Sequence, residues 1–382
     1  MTERELCICL NMISGVGNAR YRALLDEFVS PDGIRSAKRA ELQNVAGIGA
    51  ILAERIIDFD WDAMLAMEMS VANRGDVKIV TLADKDYPPP LRDLYDPPLC
   101  LYIRGTLPDD FDHSIAIVGS RRISKYGEKM TQELARDAVD CGFTVFSGLA
   151  AGADTVAHRT VTENKGRTVG VLGAGLMHMY PKENIALARE IIANGGAVIS
   201  EFPLNYPISR HNFPRRNRIV AALSRSLVVT EAGVDSGALI TARQAAELGR
   251  EVFAVPGRVD NLQAKGCHQL IKDGAALVEN FDDILIALHI GGRNNTLSGG
   301  GQGEPVPVEL APECVEIYRI LQAEEADLET LQQRTGKAPG ELLAILMQLE
   351  LKALAERDAD HIYRICGKGG KKSRLSSRRQ TC

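Results

Sequence analysis

Between Ile115 and Val255, six short apolar runs alternate with segments of helical period, and few architectures accept that rhythm. The runs are 115–118, 143–146, 168–172, 197–201, 226–230 and 251–255. An uninterrupted apolar run cannot leave one face in water, so each reads as a strand buried on both sides. The helices between them then cover both faces of a parallel sheet, which places ligand sites at the carboxyl ends of the strands. The loops at those ends open at Gly119, Ser147, Gly173, Glu201, Glu231 and Pro256, and five of the six contain glycine.

The first of these loops reads Gly119, Ser120, Arg121, Arg122. A strand that stops at glycine and turns into a helix aims free backbone N–H groups at one spot. Two guanidinium groups add donors shaped for phosphate oxygens. The pattern predicts a phosphate-binding turn; a tight turn with solvated arginines is the plainer alternative. Phe202 to Thr230 contains no Asp or Glu, yet carries Arg210, Arg215, Arg216, Arg218 and Arg225. Phe213-Pro214 opens a helix there, proline being tolerated in a first turn. Arg215, Arg216 and Arg218 cannot share one helical face, so one of them is a candidate for a structural role beneath the sheet loops. Asn217 brings a donor and an acceptor. Lys182, in Tyr180-Pro-Lys-Glu-Asn184, could complete a basic pocket with Arg121 and Arg122. Phe213, Tyr180 and Phe202 are either stacking platforms for unpaired bases or core residues.

Competing chemistries lack their residues. A dinucleotide fingerprint needs G-x-G-x-x-G after a strand. Here Gly173-Ala-Gly175 has His178 at the third glycine position, and Gly119 has Arg121 at the second. No G-x-x-x-x-G-K-[ST], H-E-x-x-H or G-x-S-x-G occurs. Asp154 and His158 stand four apart and could share a metal, although a helix cap by Asp154 is the simpler reading. Glu201 and Glu231 fall at strand ends, and Glu231 keeps open an alternative, a nucleotide-cleaving enzyme on this sheet. The main expectation is a binding protein with no catalytic residue, cofactor or metal.

The flanks suggest further modules. Residues 1 to 68 look helical, and Met12-Ile-Ser-Gly-Val-Gly17 and Asn44-Val-Ala-Gly-Ile-Gly49 read as the hairpins of a helix–hairpin–helix (SAM-like) domain. Such hairpins hold a nucleic-acid backbone or serve structure alone. The sheet domain is expected over 77–290, a flexible Gly-rich linker over 291–307, and a winged-helix module over 308–366. The third helix of that module has no Lys or Arg between Ala338 and Leu351, which favours a protein contact over DNA reading. A tail over 367–382 carries six basic residues and no acid, on a chain of net charge −5. Local basic surface on an acidic protein binds nucleic acid without indiscriminate adhesion. The eight cysteines are scattered, Cys7 and Cys9 fall on an apolar helical pattern, and no membrane span or leader is legible, so a cytoplasmic protein is expected.

Seven segments in order resemble the DNA-processing protein A (DprA, or Smf) family. They are Val118–Arg121, Ser147–Asp154, Tyr180–Asn184, Ile199–Pro203, Phe213–Arg218, Ser236–Ala242 and Phe253–Gly257. Two departures are Ala153, where the family usually has Ile, and Ala264-Lys265, where Ser and a small or polar residue are common. The resemblance implies a Rossmann-like domain that dimerises and binds single-stranded DNA without catalysis. It also implies that the protein shields incoming strands in natural transformation and helps load the RecA recombinase. Arg121 and Lys182 match the family's DNA pocket. The candidate nucleic-acid contacts are thus Gly119, Ser120, Arg121, Arg122, Ser147, Gly148, Lys182, Asn184, Phe213, Arg215, Arg216, Asn217 and Arg218.

Overall fold

The computed structural model describes residues 1–290, 314, 317–318, 320–321, 326–352, 354–357 and 362–365. The expected linker and basic tail lie outside the described residues. The chain divides into two compact units, Met1–His289 and Ile290–Cys382.

The first unit is built on a nine-stranded sheet. Its strands are β1 (Lys78–Thr81), β2 (Cys100–Gly105), β3 (Ser114–Val118), β4 (Thr144–Ser147), β5 (Thr168–Leu172), β6 (Ala197–Ser200), β7 (Ser226–Val229), β8 (Glu251–Ala254) and β9 (Ala276–Leu277). They lie in the order β1-β2-β6-β5-β4-β3-β7-β8-β9. From β6 to β9 every pairing is parallel, and every residue of β3, β4, β5, β6 and β7 is buried, as a strand covered on both faces must be. The parallel pattern does not run throughout, because β2 joins β6 antiparallel and β1 joins β2 antiparallel.

Six helices precede the sheet: α1 (Glu3–Met12), α2 (Asn18–Phe28), α3 (Pro31–Ser36), α4 (Arg39–Asn44), α5 (Ala50–Ile57) and α6 (Trp61–Arg74). Those among the strands are α7 (Pro89–Arg92), α8 (Lys125–Asp140), α9 (Ala153–Glu163), α10 (Ile185–Ala193), α11 (Asn212–Leu223), α12 (Gly237–Glu247), α13 (Lys265–Lys272) and α14 (Phe281–Ala287). Helix α9 packs on α8 and α10, while α11 packs on α12. That division follows from right-handed crossovers winding first one way from β3 and then the other.

The front helices share a core with the sheet. Leu6, Ile8 and Leu10 of α1 join Tyr102, Leu172 and Ile191 in one buried cluster. Cys7 and Cys9 belong to it, and burial pushes their thiols up to about 11 and about 12, so both are packing residues. Polar ties reinforce the joint. Arg4 reaches Asp84 and the Ile79 carbonyl, Asn11 Nδ2 donates to the Glu201 carbonyl at 3.0 Å, and the Leu204 N–H donates to Glu68 at 2.8 Å.

The two hairpins differ in their surroundings. At the first, the Asn18 N–H that begins α2 donates to the Asp96 carboxylate at 3.2 Å, so an internal anion occupies the helix start. At the second, a Cβ on Gly49 would meet nothing within 4 Å. Arg20 and Arg55 donate to hairpin carbonyls, those of Gly15 and Gly47 and of Ser14.

In the second unit α15 (Leu328–Thr335), α16 (Pro339–Leu351) and the hairpin β10 (Ala355–Arg357) and β11 (Tyr363–Ile365) enclose Leu331, Leu342, Ile345, Leu346, Leu349 and Tyr363. Helix α16 leaves Leu343, Met347 and Leu351 exposed at intervals of four, where a DNA-reading helix would present cations.

Candidate nucleic-acid interface

Strand order reverses at β3. The chain winds from β3 through β4 and β5 to β6 on one side, then returns to place β7 on the other. The connections leaving β3 and β7 therefore run to helices on opposite faces of the sheet, and a cleft of about 590 Å³ opens beside the paired strand ends. Its walls come from the loop after β3, the loops after β4 and β7, and the first turns of α11 and α12.

Gly119 lets that loop pass close to its neighbours: a Cβ there would stand 2.8 Å from the Ala153 Cβ and 2.9 Å from Thr230 Oγ1. Ser120 is almost buried, donates its N–H to the Glu231 carbonyl at 2.7 Å, and accepts the Arg122 N–H on its hydroxyl at 3.1 Å. The expectation that free backbone N–H groups would bind phosphate at this turn is corrected here. Helix α8 begins only at Lys125, and its start is closed by the Ser124 hydroxyl, which accepts from Gly127, and by the Glu231 carboxylate. With the Ser120 and Arg122 N–H groups already bonded, the exposed side chains of Arg121 and Arg122 are the prominent donors at this turn. Arg121 and Arg122 are both exposed and make no ion pair among the described residues. The Arg121 guanidinium lies over the Phe213 ring, 4.8 Å from its centroid, in a cation–π contact at the mouth of the cleft.

The three arginines of α11 take different roles. Arg216 turns inward, is 3% exposed, and donates to the carbonyls of Gly148 and Val171. Burial brings its pKa down to about 10, against the pull of the Asp154 carboxylate, and the nearby positive charge of Arg121 lowers it further. Arg215 and Arg218 both pair with Glu201, at 3.3 and 2.6 Å, and Arg215 also lies over Phe202. The lack of acids between 202 and 230 was thus misleading for these two, because Glu201 stands one residue outside that stretch.

The cleft brings together Gly119, Ser120, Arg121, Arg122, Gly148, Phe213, Arg216 and Asn217. A side cavity of about 50 Å³ adds Tyr180 and Pro181, whereas Lys182, the next residue, is exposed and lines neither this cavity nor the cleft. Other candidates point elsewhere. Ser147 is fully buried and donates to the Ile117 carbonyl at 2.6 Å. Asn184 is buried and joins the Leu149 carbonyl to Thr155, at 2.9 and 2.8 Å. Of the three aromatics, Phe213 and Tyr180 line open space, whereas Phe202 is buried against Tyr206. Gln263, which approaches the Ser120 hydroxyl at 3.5 Å, and Ser236, which caps α12, also line the cleft. Neither was marked by any charge pattern.

The residues set aside for other chemistry are occupied. Both oxygens of Glu231 accept from Ser124, and the side chain is buried. Gly152, not Asp154, caps α9; Asp154 sits in the first turn and accepts from the Ala150 N–H at 3.2 Å. His158 is fully buried with Nδ1 2.7 Å from Thr168 Oγ1, and among the described residues no group of His, Cys, Asp and Glu is placed to hold a metal. No helix among the described residues is long and apolar enough to cross a membrane.

Comparison with known proteins gives matches along the chain. A family model described as DNA recombination-mediator protein A matches residues 78–289, a SAM-like helix-hairpin-helix tandem matches 10–59, and a DprA winged helix domain matches 303–361. Protein Smf of Synechocystis is 32% identical over 95% of this chain and 98% of its own length. DNA processing protein DprA of Streptococcus pneumoniae is 39% identical over 62% of this chain and 81% of its own. The X-ray structure of DprA from Streptococcus pneumoniae superposes with a TM-score of 0.64 at 34% identity, covering 75% of this chain and 98% of that one.

Proposed function

The chain belongs to the DNA recombination-mediator protein A (DprA/Smf) family, and from that premise we propose that it binds single-stranded DNA without regard to sequence in the switch-point cleft. One observation carries the reading: Arg121, with no ion pair among the described residues and stacked on Phe213, stands with the exposed Arg122 at the mouth of a cleft whose buried cation, Arg216, is fixed to the sheet. A cation free of carboxylates can neutralise a phosphate without first breaking an ion pair. The guanidinium plane that covers Phe213 is itself a surface on which an unpaired base can stack. In this reading the protein protects incoming DNA and helps load the RecA recombinase during natural transformation, as a cytoplasmic homodimer joined through the Rossmann-like domain, with no catalytic step. The family resemblance supports the recombinase, the dimer and the compartment. The occupied oxygens of Glu231 support the absence of catalysis.

A mobility-shift series with single- and double-stranded oligonucleotides at two salt concentrations tests the reading. The wild type should prefer single strands, weaken steeply with salt, and lose affinity for every sequence alike on Arg121→Ala. A loss confined to particular sequences, or none, would falsify it.

A further inference from the structure

Helix α16 is apolar on two sides. Leu342, Ile345, Leu346 and Leu349 enter the core of its own module. Opposite them Leu343, Met347 and Leu351 are exposed, Leu351 at 78%, and the small residues Gly340 and Ala344 lie exposed beside them. Side chains three and four apart are neighbours on a helix, so these five residues form one stripe. A helix that is apolar all round belongs in an interior, yet among the described residues nothing covers this side. Its pattern suits a second copy of itself. Leu343 and Leu351 stand one turn to either side of Met347, and a two-fold contact requires such self-complementarity. The charges set the direction. Glu341 borders the stripe at its start, and Lys352, about three turns on, borders the same flank at its end. Glu341 stays half exposed while it pairs with Lys337 at 3.4 Å, so its carboxylate remains open to another cation. Antiparallel helices with Met347 on the two-fold set each Glu341 beside Lys352 of the other copy and each Glu350 opposite Ala344. Parallel helices would oppose Glu341 to Glu341 and Glu350 to Glu350, and would align their dipoles unfavourably.

We propose that α16 packs antiparallel on α16 of a second copy of this chain, through the stripe of Leu343, Met347 and Leu351. Gly340 and Ala344 allow the two backbones to approach closely. The contact lies outside the sheet domain and is independent of the switch-point cleft. One helix face is a small interface, so the contact is weak by itself and gains strength wherever two copies are already held together. A nucleic acid is a poor occupant, since no Lys or Arg falls between Ala338 and Leu351. An unrelated apolar partner would not require symmetry about Met347.

The test is cross-linking of the full chain without DNA. Met347→Cys places a thiol on the two-fold and should give a disulfide between the two copies of position 347 under mild oxidation, identified as a linked peptide pair by mass spectrometry. Gln332→Cys, exposed on α15 and off the stripe, should link to itself about tenfold more slowly. On the Met347→Cys background, Glu341→Lys should slow the linkage about tenfold, because both rim pairs turn repulsive, and adding Lys352→Glu should restore it. Restoration by the reversed pair excludes unfolding as the cause of the loss. Linkage no faster at position 347 than at position 332 reports random collision and overturns the proposal; a stripe that served an unrelated protein would give that result. Linkage at position 347 that ignores Glu341→Lys overturns the antiparallel contact. Neither result bears on the cleft, which stands or falls on strand binding.

Discussion

Arg121 and Arg122 after β3, and Arg215, Arg216 and Arg218 at the start of α11, are the same residue type within one loop cluster, yet only the first pair is both exposed and without an ion pair among the described residues. Arg215 and Arg218 share one carboxylate of Glu201, and Arg216 is held by two backbone carbonyls beneath the loops. A buried guanidinium that satisfies carbonyls contributes to the shape of the cleft, while an exposed one without a partner contributes to what the cleft attracts. Counting arginines therefore overstates the binding charge, and locating their acceptors corrects it.

Breaking the structural side of this comparison should have the largest effect. Arg216→Met leaves the Gly148 and Val171 carbonyls without their donor and the buried Asp154 without its nearby cation, and should cost about 3–5 kcal/mol of unfolding free energy in a denaturant titration. Acid should expose the same buried layer. Burial, aided by the charge of Arg216, lowers His158 from 6.5 to about 3, so the unfolded chain binds a proton that the folded chain refuses. That contribution is complete above about pH 6.5 and is lost as pH falls toward 3, by about 2 kcal/mol at pH 5. His158→Gln should flatten the acid limb of stability against pH by that amount. On the free side, Arg121→Ala should weaken single-strand binding about tenfold, or about 1.4 kcal/mol, with the thermal midpoint unchanged. Arg122→Ala should do least, reducing the salt slope by about 0.7 if its guanidinium meets one phosphate. A larger stability loss for Arg121→Ala than for Arg216→Met would invert the comparison.

Much of this was legible in the sequence because the relevant signals are local. The apolar runs marked six of the parallel strands, and Gly119 with its two arginines marked the rim. The spacing of Arg215, Arg216 and Arg218 announced that they could not act together, but not which one would turn inward. That choice depends on where the Gly148 and Val171 carbonyls lie, which only the assembled sheet decides. Ser147 and Asn184 sit in motif segments, yet their side chains are consumed by neighbouring backbone, a matter of packing that no spacing reports. The two-residue β9 is too short for periodicity to register.

Gly148 and Arg216 illustrate what such packing imposes over evolutionary time. The guanidinium fills the volume that any side chain at position 148 would require, and it is bonded to that residue's own carbonyl. Neither position can drift while the other stays. Substituting Gly148 alone expels Arg216 from its seat, and substituting Arg216 alone leaves a void beside an orphaned oxygen. Homologous lineages should therefore keep both residues or exchange both together, and a survey that found them varying independently would reveal a different way of bracing this loop.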